Sequence, residues 1–222
     1  GLIDRFIEYC LEVAKKHNFR AVMSQPVAFH PKAQKAVLKA GFTASSLLLS
    51  YISSGLESEY NENKERLDVC ACVKIIDATA YSKIYPPKEL TELLKKIYDK
   101  LDWNYEFSDE KKLSDSTQIS VENQEQLKAT KMVLHEAAED FEEVLREAVQ
   151  NTIKNKNEMI ELVICLNSPS AEYGYQVARR NGLAVSGVIP GSESGDYLIM
   201  QMLVGDKLKY DKLVLAGEFE EL

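Results

Sequence analysis

The stretch His30-Pro31-Lys32-Ala33-Gln34-Lys35-Ala36-Val37-Leu38-Lys39-Ala40-Gly41-Phe42 decides how this chain is read. Pro31 suits the first turn of a helix, where its missing N–H leaves nothing unpaired. Ala33, Ala36, Val37 and Ala40 recur at three- and four-residue steps and give the helix a small-residue face. Gly41 stands where a left-handed residue closes a helix, and Phe42 opens an apolar, strand-like run to Ile52. Working outward, Arg20 to Phe29 reads as a strand with a bulge or splay at Pro26. Before it, Leu2 to Asn18 reads as an amphipathic helix with Leu2, Ile3, Phe6, Ile7, Cys10 and Leu11 on one stripe.

Composition narrows the function classes. The chain has 222 residues, 45% of them hydrophobic and 28% charged, as in an ordinary globular protein. A net charge of −8 argues against nucleic-acid binding and a membrane-surface role, since both need clustered Lys and Arg. No apolar run approaches the ~20 residues needed to span a bilayer, and no secretory signal pattern opens the chain. Cys70 and Cys72 alternate along one strand, and His17, His30 and His135 show no ligand spacing, so no metal site is expected. Buried reduced thiols fit a cytoplasmic compartment.

Ser53 to Arg66 is polar, charged and glycine-bearing and reads as a linker, so 54–66 is taken as a boundary between residues 1–53 and 67–222. The second part begins with a strand at Leu67 to Ile76. A helix follows from Pro86-Pro87 to Leu101, a short strand at Asn104 to Phe107, and a hairpin pair at Thr117 to Glu122 and Gln126 to Glu136. Phe141 to Ile153 has a helical stripe, and Glu161 to Leu166 is an almost continuous apolar strand. Ser168-Pro169-Ser170 caps a helix that ends at Gly182-Leu183. Strands are expected at Ala184 to Ile189, Tyr197 to Val204 and Leu213 to Leu215.

The order helix, strand, small-faced helix ending in Gly-Phe, strand resembles the C-terminal half of the GNAT acetyltransferase superfamily, whose late helix typically reads Asn-x-x-Ala-x-x-x-Tyr-x-x-x-Gly-Phe. Here His30, Ala33 and Val37 stand in the Asn, Ala and Tyr places, and Gly41-Phe42 close the helix. The second part repeats the order, with Asn167 to Leu183 paralleling His30 to Phe42. The whole resembles bacterial proteins in which a GNAT domain precedes a degenerate GNAT-like one. Their Gly-x-x-Pro-Gly and Asp-x-Leu elements have counterparts in Gly187 to Gly191 and Asp196-Tyr197-Leu198.

That resemblance implies an α/β fold with a mixed sheet in each half: the C-terminal half of one GNAT copy, then a nearly complete degenerate copy. It implies acetyl transfer from acetyl-CoA to an amine, with the cofactor site in the first copy at Gly1, Leu2, Ser24, Val27, Phe29, His30, Ala33 and Val37. Gly1 would be the last glycine of the pyrophosphate loop, and backbone N–H groups near Ser24 to Phe29 would stabilise the oxyanion. His30 is either a helix cap or a cleft-lining residue. Val37 cannot donate a proton as the family's Tyr does, and no catalytic residue is named. In the second copy the loop position reads Glu136-Ala137-Ala138-Glu139-Asp140-Phe141-Glu142-Glu143, without glycine and with five carboxylates. A cofactor phosphate there meets repulsion of about 4 kcal/mol per close pair at an effective dielectric near 20. The second copy is therefore expected to wall the acceptor site or offer a dimer surface. The rival reading is a catalytically inactive GNAT-like module that binds a partner protein or small ligand.

Overall fold

The computed structural model describes residues 1–54, 65–101, 103–192, 194–206, 208 and 213–222. Helix α1 (Leu2–Lys16) leads into strand β1 (Ala21–Ser24), helix α2 (Pro31–Lys39) and strands β2 (Thr43–Ile52) and β3 (Leu67–Ile75). Next come β4 (Tyr81–Ile84), α3 (Thr91–Lys100), β5 (Asn104–Phe107), and the antiparallel pair β6 (Gln118–Gln124) and β7 (Ala129–Glu136). Helix α4 (Phe141–Lys154), β8 (Met159–Cys165), α5 (Ala171–Arg180), β9 (Ala184–Ser192) and β10 (Gly195–Leu203) complete the regular elements, and a 3₁₀ turn lies at Gly217–Glu221.

Eight strands form one mixed sheet in the order β1-β3-β2-β9-β10-β8-β7-β6, and β4 and β5 form a small parallel pair apart from it. Within the large sheet β7 and β8 run parallel and the other neighbours are antiparallel. The helix α4 between β7 and β8 is the crossover such a pair requires. One connectivity occurs twice. The run strand, helix, strand, strand appears as β1-α2-β2-β3 and as β8-α5-β9-β10, and in each the last strand inserts between the other two.

Most expected elements are present; β4 was not expected, and three other readings differ. The strand beginning at Leu67 is there, but it lies between β1 and β2 and is antiparallel to both. The polar segment before it therefore connects two hydrogen-bonded neighbours; its residues 55–64 lie outside the described residues. The strand from Arg20 is regular only over Ala21–Ser24, and Pro26 to Ala28 continue the contact with β3 more loosely, through Cys70 N–H to Pro26 O and Ala28 N–H to Asp68 O. Leu213 to Leu215 is not a strand. That segment packs on the loop before α2, where Val214 N–H bonds Ala28 O and Phe219 is buried beside Val37 and Phe42.

Helices α4 and α5 cover one face of the sheet. Leu162, Ile164 and Met200 of the strands meet Phe141, Leu145, Tyr175 and Val177 of the helices in the main core. Helices α1 and α2 cover the β1-β3-β2 wing over Cys70 and Cys72, whose thiols are pushed up to about 12, first by burial. No helix among the described residues is long and apolar enough to cross a membrane.

The two wings are joined where β2 meets β9 at a single register pair, Ser46↔Gly187. Gly187 has φ +140°, and a Cβ there would lie 2.4 Å from Ser45 O and from Ser46 Cα. Ser46 Oγ donates to Val188 O at 3.0 Å. Beyond this point the strands part, and the buried Gln201 side chain spans the gap: Leu49 N–H donates to its Oε1 at 3.0 Å and its Nε2 donates to Leu49 O at 3.3 Å. Ser186 Oγ donates to the same Oε1 at 2.5 Å. Gln201→Leu strands a buried backbone N–H, a carbonyl and a hydroxyl, so urea unfolding should show a loss of about 2–4 kcal/mol. Gly187→Ala should cost at least as much, because both the close approach and the positive φ exclude a side chain.

Candidate functional site

Face parity along the strands sets the site. Lys131, Val133 and His135 of β7 and Val163 of β8 share the face opposite α4 and α5. With Ser120, Tyr197, the Ile189–Ser192 end of β9 and Ser194 on one side and Ala21, Met23 and Val73 of the other wing, they line a cleft of about 500 Å³. The cleft thus lies between the β1-β3 wing and the β6-β7-β8 wing, with an apolar floor and hydroxyls at its rim.

Its roof is the Ile189-Pro190-Gly191-Ser192 end of β9. Gly191 has φ +73°, which a residue with a side chain rarely adopts, and its N–H donates to the buried Asp196 Oδ1 at 2.7 Å. Asp196 N–H in turn donates to Asn167 Oδ1 at 2.6 Å. The Gly187-to-Asp196 elements therefore hold this end of β9 over the cleft.

A polar row crosses the sheet next to this floor. Lys131, Glu161 and Gln201 are register partners on β7, β8 and β10. Glu161 is only 4% exposed, with Lys131 Nζ 3.5 Å from its Oε1. Burial raises the Glu161 pKa above its ordinary value, and Lys131 offsets only part of this. From the facing wing Tyr51 reaches the same place: burial raises the phenol, the Glu161 charge adds to that, and a hydrogen bond to Gln25 opposes it. Lys131 therefore links the cleft wall to the buried Glu161, whose charge is felt by Tyr51.

The residues expected to bind acetyl-CoA fall differently. Gly1 and Leu2 open α1 and are exposed. Ser24 ends β1, and Val27 bridges Val69 of β3. His30 is the N-cap of α2, its Nδ1 accepting from Lys32 N–H at 3.2 Å, so the capping role is realised. Ala33 is half-buried on α2, and Val37 is 4% exposed within the core. Backbone donors near Ser24 to Phe29 alternate in direction. Val22, Ser24 and Ala28 face β3, whereas Ala21, Met23 and Gln25 face the edge of β1 that carries no strand among the described residues.

In the second unit the corresponding groove is filled by the chain itself. Beyond the last β7–β8 register pair, Leu134↔Ile164, residues 108–117 lie across the gap. Lys112 N–H donates to Pro169 O at 3.2 Å and Ser114 N–H to Ala137 O at 3.1 Å. Ala137 N–H is taken by Ser170 Oγ and Ala138 N–H by Thr117 Oγ1. Glu136 accepts from Ser114 Oγ and Gln118 Nε2. Its surroundings are those of an anchored acid.

Sequence reasoning missed Glu161, Lys131, Tyr51 and Gln25. The available signal was a carboxylate within Met159-Ile160-Glu161-Leu162-Val163, where a buried strand tolerates charge only with a partner. Comparison with protein-family models, curated proteins and solved structures finds no match for this chain.

Glu161 makes a pH prediction. Its folded pKa lies above the unfolded value, so just above pH 4.5 the folded chain keeps a proton that the unfolded chain has released. Stability attributable to this group is full below that window and falls as pH rises through it. Glu161→Gln should flatten that part of the profile in urea titrations at successive pH values, with its gain over the parent chain largest near neutrality.

Proposed function

We propose that this chain carries the C-terminal part of a GNAT-type N-acetyltransferase, in which the first unit presents acetyl-CoA and the cleft between the wings receives the amine. The carrying observation is the doubled strand-helix-strand-strand connectivity with an inserted last strand, each copy's helix closed by a left-handed glycine, Gly41 at φ +80° and Gly182 at φ +88°. Both features agree with the family order that the sequence resembles.

The second unit does not fit acetyl-CoA: its amides are bonded to Ser170 and Thr117, its groove holds residues 108–117, and carboxylates surround the start of α4. The first unit fits in part. The Met23 and Gln25 N–H groups point outward from β1, and Met23 lines the cleft. This corrects the choice of donors within Ser24 to Phe29, since Ser24 and Ala28 spend theirs on β3. In this reading acetyl-CoA would supply the thioester, and the outward Gln25 N–H would be the donor available to its carbonyl oxygen. In the same reading Glu161, made more basic by burial and joined to Lys131 of the cleft wall, would take the proton of the attacking amine. Lys131 keeps the carboxylate from full neutralisation.

A second reading, a non-catalytic module that binds a small ligand in the cleft, draws on the buried Val37, which supplies no acid, and on the filled second groove. Calorimetry separates the two. The natural polypeptide, with whatever residues precede Gly1, should bind acetyl-CoA with micromolar affinity, and this 222-residue chain should bind it far more weakly. Glu161→Gln should then lower kcat for amine acetylation by about 10²–10⁴-fold with little change in acetyl-CoA affinity. No acetyl-CoA binding by either chain would overturn the enzyme reading and leave the ligand module.

A further inference from the structure

Strand β6 ends the large sheet, with β7 on one side and no strand on the other among the described residues. Which of its backbone groups face that open edge follows from the neighbouring ladder. Glu158 N–H donates to Lys128 O, so the N–H of Ala129 in the same peptide group turns away from β8. Ala129, Lys131 and Val133 therefore present their backbone to β6. Their register partners Gln124, Glu122 and Ser120 are spent on β7, and Ile119, Val121 and Asn123 turn N–H and C=O outward. Edge strands are ordinarily blunted by Lys, Pro or a bulge. β6 has neither Lys nor Pro, and its register shift lies at its start, between Gln118 and Ile119.

A groove runs beside that edge, on the face opposite the cleft. Val121 and Asn123 of β6 and Val144, Glu147, Ala148 and Asn151 of α4 line a pocket of about 240 Å³. Strand and helix run in the same direction along it. Asp140 at the start of α4 accepts from Thr117 just before β6, and Asn157 beyond the helix donates to Asn123 near the strand's end. The groove joins apolar surface to acid. Val121 is 56% exposed, and Glu143 and Glu147, one helical turn apart, are exposed and carry no salt bridge among the described residues. Of the basic residues on α4, Arg146 is paired to Glu142, and Lys154 stands two turns beyond Glu147.

We propose that the β6 edge and this groove dock an extended basic peptide segment of a partner protein, added to the sheet as one further strand. Backbone bonds to Ile119, Val121 and Asn123 hold the segment extended. A Lys or Arg on its α4 side lays its aliphatic stem over Val121 and Val144 and its cationic head at Glu147 and Glu143. Charge selects this occupant over a second copy. β6 has no basic residue of its own. Pairing β6 with β6 about a two-fold axis through the sheet would set the Glu143–Glu147 stripe of one copy against that of the other. The proposal stands on β6 and α4 and does not depend on acetyl transfer.

The probe is a capped Lys-Val-Lys-Val-Lys-Val peptide titrated into the 222-residue chain and followed through backbone amide resonances, with a Glu-Val peptide of equal length as control. The Lys-Val peptide should shift the Ile119, Val121 and Asn123 amides and slow their hydrogen exchange about 10-fold or more at saturation. The Glu-Val peptide should bind at least about 10-fold more weakly, and the Lys-Val affinity should fall as salt is raised. Glu143→Gln with Glu147→Gln changes only the exposed stripe and should weaken the Lys-Val peptide about 10-fold. Val121→Pro removes an outward N–H without touching the β6–β7 ladder, and should weaken it by a similar factor with Tm within about 3 °C. Equal affinity for the two peptides, an unchanged affinity in the double variant, or binding that leaves the edge amides unmoved would overturn the proposal. So would protection of these amides that grows with protein concentration in the absence of peptide, which would assign the edge to a second copy.

Discussion

The close approach of β9 to β2 at Gly187 and Ser46 is the contact on which the architecture depends. It is one register pair wide, yet it turns two three- and five-stranded wings into one eight-stranded sheet. A bare backbone is needed at Gly187 because the facing atoms are themselves backbone and cannot yield. Where the strands then diverge, the carboxamide of Gln201 replaces the missing ladder with one acceptor and one donor for Leu49. An apolar residue of similar size would fill the space and leave those groups unpaired. A buried amide is the cheaper solution at a junction between sheets.

That joint also creates the cleft. Two wings meeting along a full ladder would lie as one continuous surface. Meeting at a point, they place Met23 and Val73 opposite Val133 and Val163 with space between. Polar groups collect at the inner side because the wings bring together strands whose exposed faces were each tolerable alone. Glu161 is 4% exposed; Lys131 is its neighbour through the β7–β8 register, and the Glu161 charge reaches Tyr51 of the other wing.

Local signals in the sequence were enough for most elements. The Gly41 and Gly182 helix ends, the apolar β8 and the stripe of α4 each state their own conformation, and all are present. Which strand lies beside which was less legible. Leu67 to Ile75 reads as a strand whatever its neighbours, and the polar run before it looks the same as a linker or as a hairpin connection. Leu213 to Leu215 alternates like a strand but finds the α2 loop and not an edge. The site was less legible still. Glu161 and Tyr51 are 110 residues apart and acquire meaning only when β2 and β8 face one another across the joint, whereas His30 declared its capping role locally.

The repeated connectivity led to different outcomes because the two units differ at one edge. In the second unit β7 pairs with β8 to Leu134↔Ile164, and the gap beyond is bridged by residues 108–117, whose amides meet Pro169 and Ala137. The Ala137 and Ala138 amides and the Ala137 and Pro169 carbonyls there have partners inside the chain, so an extended ligand would have to displace these hydrogen bonds to enter. In the first unit the tail meets Ala28 O, the Gln34 amide and the Ala44 N–H, and among the described residues no strand takes the outward N–H groups of β1. A fold that satisfies its polar groups internally is a wall, and one that leaves aligned donors beside a cleft can bind. The asymmetry between β8 and β1 is thus one of spent and unspent backbone donors, with Met23 of the first unit and Lys131 of the second lining the same cleft.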